Sequence, residues 1–466
     1  MLGLFSTLNL GARALQANQL GVEVTGQNLA NSSNAAYSRQ RVTLSTSTPM
    51  DTPLGMQGTG VSATSIQQVR DALLDGQVRD ESSVGGYWTA NQNALENAQA
   101  QLGQFLNING ATATGAQGLS DQLNNLFSAF QGLATSPTSL AARQNVVNQA
   151  QALAAGFNTA SQQLSGLNTG LNTSVSDNVT KANQLLTQIA SLNDQISKAT
   201  ASGGTANDLV DSREQALENL AGLVNIQTNA NPNGAIDVSI GGTQLISGSQ
   251  TLDTLQTYDP GNGQLLVRTT TGGTPLTLTG GSIQGTIDAR DGALQTLRDG
   301  LDTLASSLIS QVNGIYSSGY DLNGGTGAAF FTGTDAGTIA VNTTLQTDPT
   351  LVQAAGVAGA TGDNTVALAL AKLGSQSIAG LGNKSFTGAF ASQVGSFGFA
   401  LSNANTEVAN QGAVAQMLQN QRDSVSGVSL EEEMANLITF QQAYAASSKI
   451  ITTVDQMLQT VIGLKT

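Results

Sequence analysis

Few residues in this chain can do chemistry. Glu431, Glu432 and Glu433 stand in a run, and clustered carboxylates can serve acid–base catalysis or hold a divalent cation. Tyr320-Asp321-Leu322-Asn323-Gly324 alternates oxygen-bearing side chains and ends on glycine, as a calcium loop begins. Such a loop needs further ligands and a distal bidentate glutamate, so a tight turn is the simpler reading. A third cluster sits in the polar stretch NLANSSNAAYSRQRVTL, where Tyr37, Ser38, Arg39 and Gln40 follow one another. Histidine and cysteine are both absent. Ser-His-Asp and Cys-His catalysis, histidine-ligated metals and disulfide frameworks are therefore excluded. The dipeptide Gly-Lys does not occur, so there is no phosphate-binding loop of the Walker type. No catalytic residue, metal site or cofactor is expected.

Composition narrows the range of partners. The chain has 466 residues, room for two to four domains. It carries 17 basic and 31 acidic residues, a net charge of −14, which argues against nucleic acid or an anionic membrane as partner. Only 10% of residues are charged, against about a quarter in ordinary globular proteins. Helices of such composition depend on packing against neighbours. The start, MLGLFSTLNLGARAL, has neither a basic region nor an unbroken apolar run, so no cleavable secretory signal is expected. No stretch of 18 apolar residues is present, so no membrane-spanning helix is expected.

The elements that must position the polar cluster are long helices. Phe5, Leu8, Ala12, Leu15, Gln19, Val22, Gly26 and Leu29 step by three and four, predicting a helix over residues 2–30. Gly11, Gly21 and Gly26 weaken it in isolation. At the other end Leu437, Phe440, Tyr444, Ser447, Ile451, Val454, Leu458 and Val461 repeat the pattern. Ser429 and Glu432 have the spacing of a capping box for a helix starting near Leu430, and the glutamate run suits its N-terminus. The terminal stripes can pack on each other or on other copies. Between them lie three further helical stripes, 119–133, 182–196 and 294–315, and a helical stretch from about 365 to 425. From about 223 to 285 the period changes to two, with Gly241-Gly242 as a turn, and a second strand-like stretch lies near 328–342. Trp88 and Tyr87 read as helix-packing aromatics.

The predicted fold is mainly α, with long paired, coiled-coil-like terminal helices, a helical-bundle second domain and a small inserted β domain. The expected division is 1–50 with 427–466, 51–222 with 286–426, and 223–285.

Both chain ends resemble the flagellar axial proteins of rod, hook and hook-associated type. The first block matches their pattern NxANxxTPGYSRQ at Asn28, Ala30, Asn31, Tyr37, Ser38, Arg39 and Gln40, with Asn34-Ala35-Ala36 where the pattern has Thr-Pro-Gly. The last block, from GVSLEEEM onward, resembles their C-terminal segment through Glu432, Glu433, Asn436, Leu437, Phe440, Gln441, Tyr444, Ser447 and Val454. The SRQ ending and the interior stretches 209–226, 283–331 and 338–355 are similar to the hook-associated junction members. The resemblance implies a non-enzymatic, extracellular flagellar component at the hook–filament junction. It implies subunit contact through residues 28–40 and the terminal seams. The implied partners are further copies of the chain in a ring, the hook protein, hook-associated protein 3 and an export chaperone at the C-terminal helix. A hook or distal-rod subunit is the alternative within the family. An exported surface enzyme is the alternative outside it, and the missing histidines argue against that.

Overall fold

The computed structural model describes residues 3–52, 55–106 and 118–463. Helix α1 (Leu4–Ala30) leads to four strands, β1 (Gln40–Thr46), β2 (Met50–Thr52), β3 (Gly55–Gln57) and β4 (Val61–Gln68). β1 pairs antiparallel with β4, and β2 with β3. Residues 51–68, grouped with the helical domain on sequence, belong to this ribbon. VSATSIQQ is rich in β-branched residues and has β1 to pair with.

Four helices follow: α2 (Ala72–Leu106), α3 (Leu119–Thr135), α4 (Leu140–Ala201) and α5 (Asn207–Leu223). The 62 residues of α4 span about 93 Å at 1.5 Å per residue. Ser139 caps its start by accepting from Ala142 N. Then come β5 (Ile226–Ala230), β6 (Ile236–Ile240), β7 (Thr243–Ser247) and β8 (Gln250–Thr251) in one antiparallel sheet, ordered as in sequence. β9 (Leu255–Tyr258) and β10 (Leu266–Thr269) form a separate pair. α6 (Gly281–Ala289) runs through a π turn at Arg290–Leu294 into α7 (Gln295–Tyr316). β11 (Phe331–Thr332) and β12 (Ala340–Val341) are short and paired, and α8 (Thr343–Thr347) follows. The helical stretch expected from 365 to 425 is broken into α9 (Thr365–Leu373) and α10 (Phe386–Ser426). Asn383, with φ of 59°, turns the chain between them. The last element is α11 (Leu430–Gly463). Among the described residues no helix is long and apolar enough to cross a membrane.

Two apolar cores share α4. The first buries Val146–Leu171 of α4 with the inner faces of α3, α7, α9 and α10. The stripe Leu119, Leu123, Leu126, Phe127, Phe130 and Leu133 is wholly buried here. The second buries Val175–Ala190 of α4 with α5, α6 and the inner faces of β6, β7, β9 and β10. The strands therefore pack as a larger unit than residues 223–285 alone, because a single small sheet cannot bury its face by itself.

Asparagine amides fasten strands and loops to the helices. Asn193, fully buried on α4, donates to Ile236 O and Gly248 O (both 2.7 Å) and accepts from Ile236 N and Arg213 Nη1 (both 3.1 Å). Asn183 exchanges two bonds of 2.8 Å with the backbone of Leu255. Asn313 on α7 does the same for Phe330 and Phe331. A carboxamide has two donors and two acceptor sites, so one residue can satisfy a strand end that would otherwise be orphaned. Residues 320–324 form a turn, the reading favoured on sequence: Asp321 Oδ1 accepts from Asn323 N (2.7 Å) and Gly325 N (2.8 Å).

Asn193→Ala leaves several buried groups unpaired, each worth about 1–3 kcal/mol. We expect the urea midpoint of the β-rich unit to fall by several kcal/mol equivalent while amide exchange in α3 and α7 stays unchanged. Asp253 accepts from Thr271, Gly272 and Thr254 N–H groups, which hold its carboxyl down at about 2. Its stabilisation is therefore present above the ordinary value of 3.8 and lost as pH falls through about 2. Asp253→Asn should flatten the pH dependence of stability across that window, measured by urea titration at pH 2, 3 and 4.

Candidate functional site

The polar cluster noted in the sequence lies where α1 ends, and Asn28 is its centre. Asn28 is buried on the last turn of α1. Its Nδ2 donates to Gln40 O (2.9 Å) and Glu433 Oε2 (3.0 Å), and its Oδ1 accepts from Tyr37 Oη and Gln40 N (both 2.9 Å). All four hydrogen-bonding positions of the amide are used. It joins the helix end, the first residue of β1 and the first turn of α11.

Glu433, only 2% exposed, receives a second partner from Arg39 Nε (2.9 Å), while Arg39 Nη1 pairs with the exposed Glu432 (2.9 Å). The glutamates thus serve tertiary contact, and Glu432 turns to Arg39 rather than back to Ser429. The Arg39 backbone is fixed on both sides, donating to Ser426 O (2.9 Å) and accepting from Val69 N (2.8 Å). Asn31 Nδ2 donates to Gln27 O (3.0 Å), closing the helix. In place of Pro-Gly, Asn34 Oδ1 accepts from Ala36 N (3.2 Å) and Asn34 O from Tyr37 N (3.0 Å). None of residues 34–36 has positive φ, so this turn has no need of glycine.

The joint is also tied to α5. Ser38 N donates to Asp211 Oδ2 (3.2 Å), and Gln40 Nε2 to Asp208 Oδ1 (3.0 Å). One face of α5 carries Asp211, Glu214 and Glu218, met by Arg70, Arg79 and Arg422 from three different segments. Burial pushes the Asp211 carboxyl up against the opposing pull of Ser38 and Arg70, and pushes Glu218 up against Arg422. Burial also raises the Tyr37 phenol, with Asp208, Asp211 and Glu433 adding to it, so Tyr37 remains a donor to Asn28.

Below the joint α1 and α11 run antiparallel. A Cβ on Gly21 would lie 2.6 Å from the Phe440 ring, and one on Gly11 would lie 3.0 Å from Ile451. These two glycines are the hollows that receive side chains of α11. Asn18 Nδ2 donates to Ser447 Oγ (3.4 Å) between them.

The chain is similar to known proteins. Residues 106–331 match the family described as flagellar hook-associated protein FlgK helical domain, and residues 419–464 match flagellar basal body rod FlgEFG protein C-terminal. Over 99% of its length the chain is 28% identical to flagellar hook-associated protein 1 of Bacillus subtilis strain 168, covering 99% of that protein. It is 26% identical to the Escherichia coli K12 protein of the same name, over 99% of this chain and 100% of that one. Along its whole length the chain is thus similar to flagellar hook-associated protein 1. The structure of the flagellar hook junction protein FlgK from Burkholderia pseudomallei has the same fold, with a TM-score of 0.63 at 19% identity, over 75% of this chain and 100% of that one. A 40-residue stretch, 9% of the chain, is 58% identical to the flagellar hook protein of Caulobacter vibrioides.

The residues singled out on sequence divide into two sets. Asn28, Tyr37, Ser38, Arg39 and Gln40 meet at one joint, with Asn31 closing the helix beside them and Ala30 exposed. On α11, Leu437, Phe440, Ile451 and Leu458 are half-buried, Val454 is buried, and Tyr444 and Val461 are exposed. On α1, Leu8, Leu15, Val22 and Leu29 are only half-buried and Phe5 is 72% exposed. The residues of α1 that are buried are Gly11, Ala17, Gly21, Val24, Thr25 and Asn28. Gly11, Gly21, Thr25 and Asn28 thus each lie one residue before a position of the stripe read on sequence, and Ala17 and Val24 fall between its positions, because small residues make the closest contact. Sequence reasoning also missed Asp208, Asp211, Glu214 and Glu218. Their signal was the spacing of 211, 214 and 218 on one helix face in a chain poor in charge.

Arg39→Met leaves Glu433 buried with Asn28 as its one remaining side-chain partner among those described. Breaking a buried pair from one side costs about 3–5 kcal/mol. We expect amides of α1 and α11 to exchange much faster by mass spectrometry, with those of α3 and α7 unaffected.

Proposed function

We propose that this chain is a non-catalytic building block of the hook–filament junction, working outside the cell. Its terminal helix pair packs against the pairs of neighbouring copies to form a ring or tube. The outer units contact the hook protein on one side and hook-associated protein 3 on the other. The C-terminal helix also serves as the docking segment for an export chaperone before assembly. The working units are 1–50 with 427–466, 51–222 with 286–426, and 223–285, with the ribbon of 51–68 joined to the first through β1 and the last completed by the far half of α4.

The observation that carries this reading is the apolar surface that the terminal pair leaves uncovered. Leu430, Met434 and Ile438 are exposed near the joint, and Ile450, Met457 and Val461 along the far half of α11. Beside them on α1 lies the half-buried stripe Leu8, Leu15, Val22 and Leu29. Clustered exposed apolar side chains mark protein contacts. Burying them against neighbours stabilises a ring by about 25 cal/mol per Å² before ordering costs. Contacts between unlike faces repeat around an axis and close into a ring or wind into a helix. Against catalysis stand the lack of histidine and cysteine and, among the described residues, of any acidic cluster able to hold a metal.

Expression in a motile bacterium lacking its own hook-associated protein 1 tests the assignment. Filaments on hooks are the expected outcome. If the chain is exported and flagellin still escapes to the medium, the junction role fails. In the same assay Ile438→Asp with Met457→Asp should abolish incorporation while circular dichroism of the purified monomer remains that of the parent.

A further inference from the structure

The two cores meet along a single level of the molecule. On α4 the first core ends at Leu171 and the second begins at Val175, and the residues between are Asn172, Thr173 and Ser174. On the α6–α7 helix, Ile287 belongs to the second core and Ala289 to the first, and the π turn starts at the next residue. Apolar packing is therefore interrupted at the same height on both continuous helices.

Each side of that level has its own character. On one side a groove of about 730 Å³ opens between α2, α4 and α6, lined by small residues that include Gly86, Thr89, Gly170, Ser174 and Ser282. On the other, Arg290 leaves the π turn and is buried. Its Nη1 donates to Asn172 Oδ1 (2.6 Å) and Leu265 O (2.9 Å), and its Nε and Nη2 grip Asp291 (2.6 and 2.9 Å). Asn172 completes the clasp by donating to Gly263 O (2.8 Å) and accepting from Leu265 N (3.1 Å).

We propose that this level is a hinge on which the β-rich unit rocks toward the small-residue groove, and that the Arg290–Asn172–Leu265 clasp latches the posture seen here. A π turn is a recognised place for a helix to bend, and it is what aims Arg290 across to α4. The groove supplies room for closure, which a gentle bend of the unbroken α4 would use. On the far side the clasp itself is made of hydrogen bonds. The hinge is a property of the monomer and does not depend on the junction reading.

The absence of native cysteine makes the test direct. Spin labels on Thr89→Cys and Ser174→Cys, which line the groove from α2 and α4, report its width by pulsed electron resonance. Adding Arg290→Met should broaden the distance distribution and shift it to shorter values, and should speed amide exchange at Leu265 at least tenfold. Exchange within α3 and within β6 should not change. Arg298→Met, which lines the same small void beside α4, is the control and should alter neither readout. Asn172→Ala removes the same clasp from the other side and decides the matter if Arg290→Met fails to fold. An unchanged distance distribution in a folded clasp variant overturns the proposal. So does loss of protection throughout β6, since the clasp would then be holding the fold itself.

Discussion

The structure depends on the buried side-chain amide bonded to backbone across elements. Asn28 is the critical instance, because the two chain ends and the first strand converge on one group with all its bonds made. Each of those bonds contributes modestly, but leaving one buried partner unmade costs more than making it gains. The arrangement is therefore close to all-or-none. α1 cannot settle on α11 unless β1 has begun at Gln40, and Glu433 cannot be buried unless both Asn28 and Arg39 reach it. Asn183, Asn193 and Asn313 apply the same device within the helical body. A chain without cysteine, and with few charges, obtains its long-range fastening this way.

Legibility in the sequence followed the size of the side chains. The stripes of α3 and α7 were plain because large aliphatic residues repeat at helical spacing and face one core. The start of α11 at Leu430 and the inner face around Phe440, Ile451 and Val454 could be read for the same reason. The inner face of α1 could not. Its contact is made by Ala17, Gly21 and Val24, and a reading weighted to large residues chose Leu8, Leu15 and Val22, one or more positions away. Small residues at a close crossing look like gaps in a pattern when they are its point. The run 51–68 was misread because its side chains are mostly polar and its apolar residues too few to show a period.

The joint was legible as a cluster but not as a mechanism. Tyr37, Ser38, Arg39 and Gln40 stood out by adjacency, while their partners lie about 170 residues away on α5 and about 400 away on α11. Nothing local in either segment announces the pairing. What could be read was scarcity. When one residue in ten is charged, the spacing of Asp211, Glu214 and Glu218 on one face of α5 is unlikely to be mere solvation. Three arginines from separate segments do meet that face. Burial raises Asp211 and Glu218, so their protonation on mild acidification relieves a penalty of the closed joint rather than opening it.

These features together account for an assembly module whose ends are unfinished and whose middle is not. The helical body has two cores, and their burial owes nothing to other molecules. The terminal pair has one narrow seam floored by glycine, with apolar residues on its outer sides. A two-helix pair of this kind gains too little from one seam to be rigid alone, since most helical stability comes from tertiary packing. Its orientation to the body is nevertheless set, because Asn28 fixes one end to β1, and Ser38 and Gln40 tie the joint to α5. The pair is therefore aimed but not covered. In the proposed ring a neighbouring copy would cover it, and folding of the ends and growth of the ring would become the same event.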